Sequence, residues 1–199
     1  MAGAGTRRRF VLASGNEGKR REIAAILAGD EILSLSAFPG VVLPEEGDDY
    51  AANALVKAAT VAAATGLPSL GDDSGLEVDA LGGRPGVFSA RYGGPGLDDR
   101  GRMARLLEEL ADHPEPRSAR FVCLAACALP KGRSFTARGV CEGRILQAPR
   151  GDHGFGYDPI FAASGDERSC AELTPAEKDQ ISHRGQAFRA LAQLLAEEL

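Results

Sequence analysis

The order of strand-like and helix-like segments along this chain predicts an α/β fold. Three observations carry that expectation: a strand, a glycine loop and a helix in succession near the start, an alanine-rich helix ahead of an acidic stretch, and a long hairpin followed by two capped helices. Residues 10–13 read as a short buried strand that runs into Ser14-Gly15-Asn16-Glu17-Gly18-Lys19. The helix after it carries Ile23, Ile26 and Leu27 at the spacing of one buried face. Pro44-Glu45-Glu46-Gly47-Asp48-Asp49 then places four carboxylates before a helix expected over residues 50–64, where acids suit the N-terminal end of the helix dipole.

Gly66-Leu67-Pro68 closes that helix, and residues 69–86 read as a long, turn-rich stretch holding Asp72-Asp73-Ser74-Gly75. Met103, Leu106, Leu107 and Leu110 mark a third helix that stops before His113-Pro114. Residues 120–129 and 134–145 form a hairpin across Pro130-Lys131-Gly132-Arg133. Thr174-Pro175-Ala176-Glu177 is a capping box with proline at the first helical position, and Ser182 can cap a last helix whose apolar face is Ala187, Phe188, Leu191, Leu194 and Leu195. With no internal repeat and no linker long enough to cut the chain, one domain is expected over residues 10–199, with residues 1–9 as a solvated tail.

The 199 residues carry 23 basic and 28 acidic side chains, a net charge of −5, with the basic residues scattered. That balance argues against a sequence-independent grip on nucleic acid or an anionic membrane. No run of apolar residues is long enough for a membrane span, and the apolar stretch that a twin-arginine signal at Arg7-Arg8-Arg9 would need stops at Ser14-Gly15-Asn16. Cys123, Cys127, Cys141 and Cys170 have no metal-type spacing, so reduced, buried thiols and a cytoplasmic setting are expected.

The loop at residues 14–19 is too short for a Walker A motif and lacks its hydroxyl after the lysine, leaving exposed amides, a lysine and a helix N-terminus that would suit either an anion or an ordinary turn. Asp72-Asp73 is sharper, because adjacent carboxylates repel unless a cation or a titration task makes use of them, and hard oxygen donors suit Mg²⁺; a solvated acidic turn is the alternative for the dipeptide in isolation. Gly154-Phe155-Gly156-Tyr157-Asp158 lets a flat ligand approach the backbone, or packs as an aromatic turn. His183-Arg184, near Lys178, gives a compact cationic set at a helix start, which favours an anionic partner. Amides and lysine for phosphates, carboxylates for Mg²⁺ and aromatics for a base together fit a nucleoside triphosphate.

Ser14-Gly15-Asn16-x-Gly18-Lys19-x-x-Glu22, Asp72-Asp73-Ser74-Gly75-Leu76-x-Val78-Asp79, Gly83-x-Pro85-Gly86-x-x-Ser89-Ala90-Arg91, Gly154-Phe155-Gly156-Tyr157-Asp158-Pro159-Ile160-Phe161, Ala171-Glu172-Leu173-Thr174 and Ser182-His183-Arg184-Gly185-Gln186-Ala187 resemble, in order, the inosine triphosphate pyrophosphatase family. The resemblance runs from about residue 10 to residue 195. It implies an elongated mixed sheet with flanking helices, two lobes around a central substrate cleft, and a homodimer. It further implies Mg²⁺-dependent hydrolysis of ITP, dITP and XTP to the monophosphate plus pyrophosphate. By motif position, Ser14, Gly15, Asn16, Glu17, Gly18 and Lys19 would meet the triphosphate, with Lys19 also catalytic. Glu45 and Asp73 would hold the metal, Asp73 would accept the proton of the attacking water, and Asp72 would assist. Ser74, Phe155, Gly156, Tyr157, Asp158, Lys178, His183 and Arg184 would bind substrate, supported by Lys57 and Arg91. One departure is visible: the family's usual Glu-Thr-Gly and Glu-Asn-Ala (or Asp-Asn-Ala) are here Glu45-Glu46-Gly47 and Ala52-Asn53-Ala54, so an acidic position is lost and Glu46 could replace or join Glu45.

Overall fold

In the computed structural model, which describes residues 7–198, seven strands form one mixed sheet with helices on both faces. β1 (Arg9–Leu12) lies parallel to β2 (Glu31–Leu33) on one side and to β3 (Ser69–Val78) on the other. β4 (Pro85–Gly86) adds to the far end of β3, and β5 (Ser118–Ala128), β6 (Ser134–Ile145) and β7 (Phe161–Ala163) continue the sheet antiparallel. The expected α/β class, the hairpin and the helices are all present. β2, β4 and β7 were not legible in sequence, since two or three residues are too few to display a period.

α1 (Glu17–Ile26) and α5 (His183–Glu198), with the short α4 (Pro175–Ile181) beside them, cover one face of the sheet, where Ile23, Leu27, Phe188 and Leu191 pack on Phe10, Leu12, Leu70 and Cys123. α2 (Tyr50–Thr65) covers the other face through Ala54, Ala58 and Ala62 against Ala126 and Ala128. α3 (Asp99–Glu109) packs on a separate core at the far ends of the same strands, with Leu76, Val78, Ala119 and Phe121. Residues 71–75 of β3 therefore span the ground between two cores. All four cysteines are free and buried, as expected, and burial pushes the Cys170 and Cys127 thiols up to about 12.

Two expectations change. The stretch from Ser69 contains no bend at Asp72–Gly75; it is a ten-residue strand, almost wholly buried. Its glycines act by omission of a side chain: a Cβ on Gly71 would stand 2.0 Å from the Ala54 carbonyl oxygen of α2. The expected solvated tail falls mostly on residues outside those described, but it is shorter than residue 9: β1 begins at Arg9, Arg8 pairs with Asp30 at 2.8 Å, and Arg9 pairs with Glu31 at 2.9 Å. Each pair joins the two neighbouring ends of β1 and β2.

Gly139 of β6 sets the height of α5, because a Cβ there would lie 2.0 Å from the His183 carbonyl oxygen and 2.6 Å from the Ala187 amide nitrogen. Backbone atoms cannot rotate aside, so Gly139→Ala is expected to lower unfolding free energy by about 1–3 kcal/mol, read from the urea midpoint. Gly29→Ala, at a position with open space around it, is the control and should be close to neutral.

Candidate functional site

Pairing between β1 and β3 stops at Leu12 and Leu70, and β4 joins β3 only from Leu76, so the edge of β3 between them is open. This is the carboxyl end of a parallel pair, where α/β proteins place their ligands. The loop after β1 turns into α1 there. Asn16 caps the helix by accepting from the Lys19 amide at 3.0 Å, and Ser14 Oγ accepts from the Asn16 amide at 3.1 Å. The Glu17 carboxylate points away to Arg20 at 2.8 Å, leaving its backbone at the site. Gly18 is a contact point, since a Cβ would lie 2.8 Å from the ring of Phe155.

Asp72 and Asp73 do not share a site, which corrects the expectation that Asp72 assists a metal held by Asp73. In a strand, successive side chains leave by opposite faces. Asp72 turns to the α1 and α5 face, fully buried, where it accepts from Lys19 Nζ, from Ser74 Oγ at 3.0 Å and from Arg184 Nε at 2.8 Å. Although burial alone would raise its pKa, Arg184 and Lys19 hold the carboxyl well below the usual range. Its task is to anchor two cations.

Those contacts belong to a longer alternation of charge. Asp158 pairs with Lys178 at 2.6 Å, Lys178 with Glu22 at 2.7 Å, Glu22 with Arg184 at 2.5 Å, and Arg184 with Asp72, which holds Lys19. Three anions and three cations thus connect the Phe155 loop to the loop after β1, nearly all buried. Glu22 is the member that motif reading left without a role. Its position three residues after Lys19, on the same face of α1, was the available signal.

His183 departs from the expected cationic set. It is buried and stacked on Phe121 at 4.8 Å, and burial together with Arg184 and Lys178 pushes its pKa well below the usual value, so it is neutral. At this start of α5 the Ser182 hydroxyl and carbonyl take the Gly185 and Gln186 amides. His183 and Arg184 are buried, line the cleft and occupy the first turn of α5, whose N–H groups have no acceptor within the helix.

On the α2 face, Asp73 accepts from Asn53 Nδ2 at 2.9 Å and from Lys57 Nζ at 3.2 Å, and Lys57 also donates to Glu46 at 2.6 Å. Arg91 reaches the other Glu46 oxygen at 3.4 Å and lies over Phe88. Burial raises the Asp73 pKa above the usual carboxylate range, against the lowering by Lys57 and Asn53 and with a further rise from Glu46. A carboxyl so poised suits proton transfer. Glu45 and Glu46 both lie in an exposed loop, and it is Glu46, not the expected Glu45, whose carboxylate reaches Lys57 beside Asp73. The Asp73 and Glu46 carboxylates are hard oxygen donors of the kind Mg²⁺ takes, since it binds through one or two carboxylates plus substrate phosphates. Asn53 was missed; it also accepts from the Gly47 amide at 2.7 Å and so ties the Glu46 loop to α2.

Phe155 faces the cleft with Lys178 Nζ 5.1 Å and the Arg184 guanidinium 5.6 Å from its ring centre. Tyr157 also lines the cleft, while its ring packs against the core and its hydroxyl donates to the Ser89 carbonyl at 3.0 Å. Asp158 accepts from the Phe155 amide at 2.8 Å, and Asp99 of α3 accepts from the Gly156 amide at 2.8 Å, so two carboxylates fix the loop from within and from outside. The resulting cleft of about 370 Å³ is lined by Asn16, Gly18, Lys19, Ser74, Phe155, Lys178, His183 and Arg184, with Asp99 and Arg102 at its rim.

Comparison with known proteins gives the family. The Ham1 family profile matches residues 10–194. The dITP/XTP pyrophosphatase of Streptomyces coelicolor is 47% identical over 197 residues, covering 96% of this chain and 98% of the relative. That of Thermus thermophilus is 51% identical over 186 residues, covering 92% and 89%. Among solved structures, a HAM1 protein from Coxiella burnetii superposes with a TM-score of 0.85 at 42% identity, covering 96% of this chain and 99% of that one. The Ham1 protein of Staphylococcus aureus gives 0.84 at 34% identity, covering 96% and 100%. With matches that span nearly its whole length, this chain belongs to the Ham1 family.

Proposed function

We propose that the chain is a Mg²⁺-dependent pyrophosphohydrolase that converts dITP, XTP and ITP to the monophosphate and pyrophosphate, and that it works as a homodimer. The observation that carries the reading is the cleft itself, which joins a ring-and-amide surface at Phe155, His183 and Arg184 to the Lys19 loop through one buried chain of ion pairs. The names of the relatives, dITP/XTP pyrophosphatases, supply the substrate class.

The base would stack on Phe155, with the N–H groups at the start of α5 donating to its 6-oxo group. A 6-amino purine would set donor against donor there, at about 1–3 kcal/mol for each buried group left unpaired. The triphosphate would pass over the open edge of β3. Lys19 lies on one side of that edge and Lys57 on the other, and the Lys19 charge adds to the lowering of the Glu46 pKa and offsets part of the rise at Asp73. Asp73 is the proton acceptor for the water that attacks the α-phosphate. Mg²⁺, held by Asp73 and Glu46, would neutralise charge on the departing pyrophosphate.

A triphosphate panel tests this reading. Pyrophosphate release from ITP, dITP and XTP in Mg²⁺ should exceed that from ATP by about 100-fold and stop on chelation. Preference for dTTP or dUTP, or nucleotide binding without turnover, would assign the cleft to another pyrophosphatase or to a nucleotide sensor.

A further inference from the structure

We propose that Lys57 is a built-in stand-in for the divalent cation: its ammonium bridges the two carboxylates that would hold the metal, so metal enters only with a triphosphate that draws the ammonium away. The inference rests on the proposed function, because Asp73 and Glu46 are the pair that this function assigns to Mg²⁺.

The geometry is that of an internal counter-ion. Lys57 Nζ lies 2.6 Å from Glu46 Oε1 and 3.2 Å from Asp73 Oδ1, and its side chain is only 6% exposed. Asn53, one turn earlier on α2, holds the second Asp73 oxygen at 2.9 Å and the loop at Gly47, so both carboxylates are aimed at one point. Lys57 occupies that point. A divalent ion bound to the same two oxygens would stand within a few ångströms of the ammonium, beside the buried Asp73 carboxylate, where like charges repel. Among the described residues no third His, Cys, Asp or Glu gathers with these two carboxylates.

A triphosphate removes both obstacles. It brings oxygen donors that complete the coordination of a Mg²⁺-type ion, and it gives the ammonium a new anion to follow. Lysine suits such a shift, since its charge sits at the end of a flexible four-carbon stem. Metal and nucleotide then bind with positive coupling, and the carboxylates remain paired in the free protein.

The test uses Mn²⁺ as the probe, with free ion followed by its paramagnetic resonance signal, on the full chain without nucleotide. Lys57→Met should bind Mn²⁺ at least tenfold more tightly than the wild type, because it removes the cation that bridges the two carboxylates. Lys57→Arg, which keeps the charge, should not. Lys57→Gln serves as a second neutral variant if the methionine protein does not fold. Equal Mn²⁺ affinity in the wild type and a folded neutral variant overturns the proposal. Should neither neutral variant fold, the wild type decides: tight Mn²⁺ binding that an α,β-methylene triphosphate does not increase overturns it, and weak binding that becomes tight with the analogue supports it. Pyrophosphate release from ITP by the wild type in the same buffer separates the two readings. Turnover alongside a failed Mn²⁺ result removes only the role of Lys57, whereas absence of turnover removes the proposed function.

Discussion

Asp73→Asn is expected to reduce pyrophosphate release from ITP by about 10²–10⁴-fold, the usual contribution of a positioned general base, while the protein remains folded. The amide has the shape of the carboxyl it replaces. It can still accept from Asn53, and Lys57 keeps Glu46 as its partner. Removing the charge should cost little stability. The folded pKa of Asp73 is raised, chiefly by burial, so ionisation of this group opposes folding and its stabilising share is lost as pH rises through the folded value. The check is a pair of measurements on one sample: steady-state turnover in Mg²⁺ and a urea unfolding curve. Turnover near that of the wild type would remove Asp73 from the chemistry.

The largest effect on stability is expected from Arg184→Met. Arg184 is 2% exposed and joins Asp72 to Glu22, so its loss leaves two buried carboxylates facing an apolar side chain. Breaking a buried pair from one side typically costs about 3–5 kcal/mol. The pH dependence gives a sharper test than the size of the loss. In the wild type, burial opposes ionisation of Asp72 and Glu22, but Arg184 and its neighbouring lysines lower both pKa values. Their contribution is therefore present above the ordinary carboxylate range and disappears as pH falls through the lowered folded values. In the variant the same carboxylates are more easily protonated in the folded state. The stability gap between wild type and variant should narrow from pH 7 to pH 5. A gap below about 1 kcal/mol at pH 7 would mean that the ion-pair chain does not hold the cleft together.

Much of this molecule was legible as pattern. The capping box at Thr174 and Glu177 forms as the sequence requires, the Ser182 hydroxyl takes an amide at the start of α5, and Gly66 ends α2 in the left-handed region. Each of these depends on neighbours a few residues apart, whose geometry is fixed by the backbone alone. The residues expected at the site also come together: Lys19, Ser74, Phe155, Lys178, His183 and Arg184 line one cleft. What the motifs could not supply was direction. A carboxylate pair reads the same in a turn as in a strand, and only β3 reveals that Asp72 faces Arg184 while Asp73 faces Lys57. The same holds for Tyr157, whose ring serves the core although it lies two residues from Phe155.

The state of each ionisable group was further out of reach. His183 and Arg184 are adjacent in sequence and similar in expected charge, yet one is neutral and the other makes two ion pairs. Glu45 and Glu46 are chemically identical, and packing places only Glu46 against Lys57. The sequence by itself determined the fold class, the helix ends and the set of polar and aromatic side chains proposed to meet a nucleotide, because these follow from local periodicity and residue chemistry. The tertiary structure alone decided which carboxylate meets which cation, because charge state and partnership depend on burial and on contacts between residues as far apart as Glu22 and Arg184.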